Sequence, residues 1–306
     1  MRDEFISGLL EIARRDRNVL LLTADLGFGV LDEYRRELPD QFINVGIAEQ
    51  NMIGIATGLA MEGNIVYCYS IGNFPTLRCL EQIRNDAAYH QANVKIVSIG
   101  GGFSYGQLGM SHHATEDLAI MRALPEVKVV VPGTRNEAKA AANYLYQTPG
   151  VQYLRLDKSY ATDQVEPHEI DLSEWNVLRK AQEVTIISTG GVLEEVIEAA
   201  DMLSQRGVEV GMISARNLTP HDFKSILEMF AGSKLLISVE EHVRSGGLGG
   251  LVAEIVSESE LKIRLIRLGV LPRNISTVGS QKYLRNLNGL TAQKLVELVL
   301  SNRITH

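Results

Sequence analysis

The sequence predicts an α/β protein built from two parallel-sheet domains. Three observations carry that reading. Short β-rich runs alternate with helical segments along most of the chain, the pattern of strands joined by crossover helices. The longest apolar stretches, such as 19–22 (VLLL), have the length of buried strands. At roughly 150 residues per domain, 306 residues make two domains, and a polar, aperiodic stretch at 157–182 divides the alternation in two.

In the first series, residues 3–15 form an amphipathic helix. Residues 18–24 (NVLLLTA) form a buried strand stopped by Asp25-Leu26-Gly27. A short strand at 42–45 (FINV) leads through a glycine into a helix at 49–61 with an acid in its first turn. A β-branched and aromatic strand follows at 64–70 (NIVYCYS), then a helix at 78–91, a strand at 94–99 and a Gly-rich loop at 100–109. The series closes with a strand at 127–131 (VKVVV), an Ala-rich helix at 134–147 and a strand at 151–156 (VQYLRL). The second series has strands at 184–189, 208–213, 234–239 and 262–268. Its helices fall at 191–206, 220–231, 248–257 and 291–301. The expected organisation is a first domain at 1–160, a linker at 161–182 and a second domain at 183–306.

Composition removes several function classes. Hydrophobic residues make up 45% and charged residues 22%, which excludes a disordered or collagen-like chain. No apolar run reaches the roughly 20 residues that cross a bilayer, and the charged first turns lack a signal-peptide core. A cytoplasmic protein with no membrane partner is expected. Net charge is −7 and no Lys/Arg block occurs, so there is no footprint for nucleic acid. Cys68 and Cys79 make neither a disulfide framework nor a zinc pair, and read as small buried residues in a reducing compartment.

Ligands of open parallel sheets sit beyond the carboxyl ends of the strands. That directs attention to the loops starting at Asp25, Gly46, Ser70 and Gly100. Taken alone, Glu49 is a carboxylate favoured by a helix dipole, Asp25 a turn cap, Phe74 a core residue, Gln82 a structural residue, and Arg2 and Arg155 surface cations. His112 and His113 are adjacent, with no acid at HExxH spacing, so no metal site is expected. Ser245-Gly246-Gly247-Leu248-Gly249-Gly250 lacks the Gly-Lys-Ser/Thr ending of a nucleotide loop.

An ordered set of motifs adds to this reading. TADLG (23–27), VGIAEQNM (45–52), LEQIRNDAAY (80–89), GMSHHATED (109–117), VVVPGTRNEA (129–138) and YLRLDK (153–158) occupy the first domain. SARNLTPHD (214–222) and SVEEHVRSGGLGGLVAE (238–254) occupy the second. With them the chain resembles the carboxyl-terminal half of transketolases over nearly its whole length. It also resembles the corresponding parts of 1-deoxyxylulose-5-phosphate synthases and, more loosely, the β subunits of 2-oxo-acid dehydrogenases.

The resemblance implies a pyrimidine-binding domain, a carboxyl-terminal domain and thiamine diphosphate as cofactor. It places the family's acid on Glu49. Such an acid, buried beside an aromatic ring, is raised in pKa, and hydrogen-bonds N1′ of the aminopyrimidine. It puts Asp25 near the thiazolium, Phe74 on the face of the pyrimidine, and His112, with His113 beside it, toward substrate hydroxyls. Arg2 and Arg155 fall where many transketolases hold a sugar phosphate, for which Arg has the right fork. The Gly-Asp-Gly…Asn motif that holds Mg2+ on the diphosphate is missing. The resemblance therefore implies a separate N-terminal transketolase subunit carrying that motif, in an α2β2 assembly. The chain also departs from the sugar-transketolase pattern. Leu108 stands where an acid is usual, Gly100 where a phosphate-binding His is usual, and the usual Ser falls near Gly29. Three readings stay open: ketol transfer from a ketose to an aldose, a synthase-like or 2-oxo-acid-decarboxylating subunit, and a non-catalytic scaffold.

Overall fold

The computed structural model describes residues 1–163, 165–219 and 222–302. Six strands form the first sheet: β1 (Val19–Thr23), β2 (Phe42–Asn44), β3 (Ile65–Ile71), β4 (Val94–Ile99), β5 (Val127–Val130) and β6 (Val151–Leu156). Their order is β2-β1-β3-β4-β6-β5, and every pairing is parallel. The accompanying helices are α1 (Arg2–Ala13), α2 (Asp32–Glu37), α3 (Glu49–Met61), α4 (Leu80–Gln82), α5 (Asp117–Arg122) and α6 (Arg135–Gln147). The apolar strands bury both faces by alternation. Leu20, Leu22, Val66 and Cys68 point to the side of α3, with Met52 and Ile53. Val19, Leu21, Tyr67 and Tyr69 point to the side of α1 and α6, with Phe5, Leu9 and Leu145.

Five strands form the second sheet: β7 (Asn176–Arg179), β8 (Val184–Ser188), β9 (Gly211–Ser214), β10 (Leu235–Val243) and β11 (Arg264–Val270), in the order β11-β10-β8-β9-β7. Its helices are α7 (Leu193–Ser204), α8 (Phe223–Met229), α9 (Leu248–Ser257), α10 (Gln281–Asn288) and α11 (Ala292–Asn302). The two domains share one apolar core: Ile187, Ile213, Leu236, Leu248 and Leu251 lie in the same cluster as the α3 face of the first sheet. The far face of the second sheet packs on α7 and α11. Among the described residues no helix is long and apolar enough to cross a membrane.

Three parts of the chain differ from what residue order predicts. The expected helix at 78–91 is a 3-10 turn (Leu77–Cys79), the single turn α4 and a π-helical turn, Ile83–Ala88. Widening the helix lets Ile83, Ala87 and Ala88 bury together, and such turns gather at functional sites. The stretch 161–182 contains β7, which pairs antiparallel with β9. Of the expected helix at 220–231, Pro220 and His221 lie outside the described residues. The remainder starts at Phe223, capped by Asp222. α6 begins with a capping box in which Thr134 and Glu137 exchange side-chain bonds to backbone N–H groups. Thr134→Ala should lower stability by about 1 kcal/mol, seen as a lower urea midpoint with unchanged slope.

The Gly-rich run at 245–250 leads into α9, and its helix N-terminus is already filled. The N–H groups of Leu248 and Gly249 donate to Glu240 at 2.7 and 2.8 Å. Burial pushes the Glu240 carboxyl up from 4.5 to about 7, against the pull of those two bonds. Between these values the folded chain keeps a proton that the unfolded chain has lost. The group's contribution to stability is therefore full below about pH 4.5 and is lost as pH rises through about 7. Glu240→Gln should remove that slope, which denaturant midpoints on either side of this window would report. The same slope in both proteins would mean another group titrates.

Candidate cofactor and substrate site

The chain runs from β1 to β2 on one side and then returns to β3 on the other. The loops after β1 and β3 therefore border a topological switch point, where α/β sheets open a crevice. Asn44, at the end of β2, fastens this edge. Its Oδ1 accepts from the N–H groups of Asp25 and Gly46, each at 3.0 Å, and its Nδ2 donates to Asp25 Oδ1 at 3.1 Å. Asp25 is held at φ +58°, a left-handed conformation in a non-glycine residue. Strain of this kind collects at ligand clamps. Gly46 turns the chain at φ +73° and delivers Glu49 to the first turn of α3.

Glu49 is 3% exposed. Arg78 Nη1 donates to its Oε2 at 2.7 Å, and the Arg78 guanidinium lies over the Phe74 ring, 4.7 Å from its centre. Buried Glu49 thus has a cation beside it as well as an aromatic ring. Phe74 meets His112 edge to face at 5.2 Å, and Tyr105 lies 6.3 Å beyond His112. Ser111 Oγ and His112 Nδ1 are 3.0 Å apart. Burial and the adjacent His113 hold the His112 ring below the ordinary histidine pKa. Asn73 donates to the His113 carbonyl and ties the Phe74 loop to the histidine loop.

The aromatic row ends at cations. Lys158 Nζ sits 3.8 Å from the centre of the Tyr105 ring. Burial and the nearby Arg2 charge depress its amine. Arg2 opens α1, and its Nε donates to Asp3 at 3.0 Å. Arg2, Tyr105, Arg135, Lys158 and Tyr160 line one cleft of about 290 Å³. Tyr105 also accounts for Gly100: a Cβ there would lie 2.1 Å from the tyrosine ring. The ring fills the space that a side chain at 100 would use. Leu108 and Met110 stand exposed nearby in sequence, at 57% and 59%.

Two expected site residues lie elsewhere. Arg155 is inside β6 rather than after it, and is 2% exposed. Its three nitrogens donate to Asp157, Asp117 and the Glu241 carbonyl, which leaves no free edge for a phosphate. His113 is 1% exposed. Its two ring nitrogens lie 3.2 Å from the carbonyls of Ile275 and Gly106, so it clasps the loop to the second domain. Sequence reasoning missed Asn44, Arg78 and Lys158. The first and last lie inside or beside the quoted motifs, but nothing local marks Arg78. Gln82 keeps a buried Oε1 without a partner. Among the described residues no group of three or more His, Cys, Asp or Glu could hold a metal ion.

A buried acid, an aromatic face, a strained aspartate and a nearby cationic cleft at a sheet switch point define a cofactor-type α/β site. Comparison with known proteins supplies the family. The transketolase pyrimidine-binding domain matches residues 1–163, and the transketolase C-terminal domain matches residues 173–295. One of the two subunits of an apulose-4-phosphate transketolase, from Actinobacillus succinogenes, is 33% identical, covering 87% of this chain and 86% of its own. A 6-deoxy-6-sulfo-D-fructose transketolase subunit of a Clostridium species is 32% identical, with 97% and 92% covered. A split-gene transketolase solved as an inactive β4 tetramer superposes with a TM-score of 0.88 at 32% identity, over 98% of this chain and 97% of that one. The chain belongs to the transketolase family, as a carboxyl-terminal subunit of the split kind.

Proposed function

We propose that this chain joins a second chain in a thiamine-diphosphate-dependent transketolase that moves a two-carbon ketol unit from a ketose to an aldose. The observation that supports this most is the buried Glu49 carboxylate beside Phe74, within a chain similar over its length to split transketolase subunits. The residues fit the cofactor's pyrimidine, because a planar cation, the Arg78 guanidinium, already bridges the acid and the ring. When bound, thiamine diphosphate supplies the electron sink for cleaving and forming the carbon–carbon bond. Glu49 would hold the N1′ edge of the pyrimidine, Phe74 its face, and Asp25 the neighbourhood of the thiazolium. His112 would orient substrate hydroxyls and exchange their protons, in reach of both Phe74 and Tyr105.

Arg2 and Lys158 would receive an anionic end of the sugar, either phosphate or sulfonate. Arg155 and His113 have structural positions and take no part in this reading. Mg2+ and the diphosphate fall to the partner's Gly-Asp-Gly motif, in an α2β2 complex. The test is to purify the chain with its partner from its own source. Native mass spectrometry is then followed by assay with ketose donors and, separately, pyruvate. Ketose cleavage without CO2 is the expected result. CO2 release from pyruvate would replace ketol transfer by a decarboxylating reaction, and no turnover with bound cofactor would favour a scaffold.

A further inference from the structure

Arg78 extends from the 3-10 turn that follows the Phe74 loop. Its guanidinium makes two contacts at once, a 2.7 Å hydrogen bond to Glu49 Oε2 and a stack on the Phe74 ring with Cζ 4.7 Å from the centre. These are the two groups that the proposed function assigns to the pyrimidine of the cofactor, and the inference rests on that reading. An N1′-protonated 4-aminopyrimidine is a planar cation with neighbouring N–H donors. A guanidinium is the side chain nearest to it in shape and donor pattern. Both groups cannot stack on the same ring and bond the same acid. Burial explains why something sits there: Glu49 is 3% exposed, and a buried carboxylate without a partner is costly. Arg78 is 46% exposed, so it has solvent to move into.

We propose that Arg78 is a built-in stand-in for the pyrimidine ring. It keeps Glu49 paired and Phe74 covered until the cofactor displaces it. Arg78 is thus a positioning residue of the cofactor pocket: it holds the acid and the aromatic face in register in the empty chain and sets the threshold for filling it. Apparent cofactor affinity is reduced by the fraction of chains in which Arg78 is withdrawn.

The test uses the two-chain complex, co-expressed, stripped of cofactor by chelation and dialysis, and titrated with thiamine diphosphate and Mg2+ by calorimetry. Arg78→Met should bind the cofactor about tenfold more tightly, with kcat at saturating cofactor unchanged. Arg78→Lys, a point charge that neither stacks nor forks, should fall between the two. In the wild-type complex, phenylglyoxal labelling of Arg78, read by mass spectrometry, should rise several-fold when cofactor is added. That readout does not depend on any variant folding. Equal or weaker affinity in Arg78→Met, or labelling indifferent to the cofactor, overturns the proposal. A wild-type complex that takes up no thiamine diphosphate would instead overturn the proposed function, and this inference with it.

Discussion

Glu49→Gln in the two-chain enzyme should lower kcat by roughly 10²–10⁴-fold, the usual cost of removing a positioned acid–base group. Glutamine has nearly the shape of glutamate and still accepts a hydrogen bond from Arg78. The site, 3% exposed at the head of α3, should therefore keep its packing. What is lost is the exchangeable proton on the group that faces the pyrimidine. Two measurements separate these contributions. Calorimetry should still detect thiamine diphosphate binding, while steady-state ketol transfer at saturating cofactor should collapse. Turnover close to wild type would remove Glu49 from the chemistry and leave it a helix-terminal carboxylate.

Arg155→Met should destabilise the chain by about 3–5 kcal/mol, because it strips the cation from a buried cluster. Arg155 Nη1 lies 3.3 Å from Asp117 Oδ1, and Nε lies 3.1 Å from Asp157 Oδ1. Asp117 also accepts from the Tyr153 hydroxyl, and Asp157 from the Gly191 N–H. The carboxylates hold the Arg155 guanidinium above its ordinary value despite complete burial. Its Nη2 donates to the Glu241 carbonyl at 3.0 Å, so the cluster also fastens the two domains. Equilibrium unfolding in urea measures the loss. A variant with wild-type stability and a raised KM for phosphorylated sugars alone would restore Arg155 to the substrate site.

A second cluster supports the same junction. Glu241, reached by Arg285 and Gln281 from α10, accepts the N–H of Phe103 in the Gly-rich loop. Arg285 also bonds Ser159 and Glu194. With His113 clasped to Ile275, the second domain holds the loop that carries Tyr105 and the turn that carries His112. It contributes no side chain to the row Phe74–His112–Tyr105. Its influence on the site is mechanical, through a shared apolar core and buried ion pairs.

Much of the architecture was legible in residue order. β4, β6, α3 and α9 match or nearly match the segments read from apolar runs, a first-turn acid and glycine punctuation. Those signals are local, so a short window contains them. The π turn at Ile83–Ala88 was not legible, because packing against neighbouring elements decides which face is buried. β7 was not legible either: four residues of mixed burial become a strand only because β9 offers an edge.

Residue order alone established the α/β alternation, the ordered motifs, the lack of a Gly-Asp-Gly metal motif, and Glu49 at the head of a helix. Propensity, periodicity and motif spacing are written into consecutive residues. Which charged groups face one another was settled by folding in three dimensions. Arg155 became structural because Asp117 and Glu241, 38 and 86 residues away, meet it in the interior. Arg78 entered the site because folding carries it to a carboxylate 29 residues upstream. Burial turns these encounters into large energies: a lone charge in low dielectric is expensive, so each one inside is fixed by its partner.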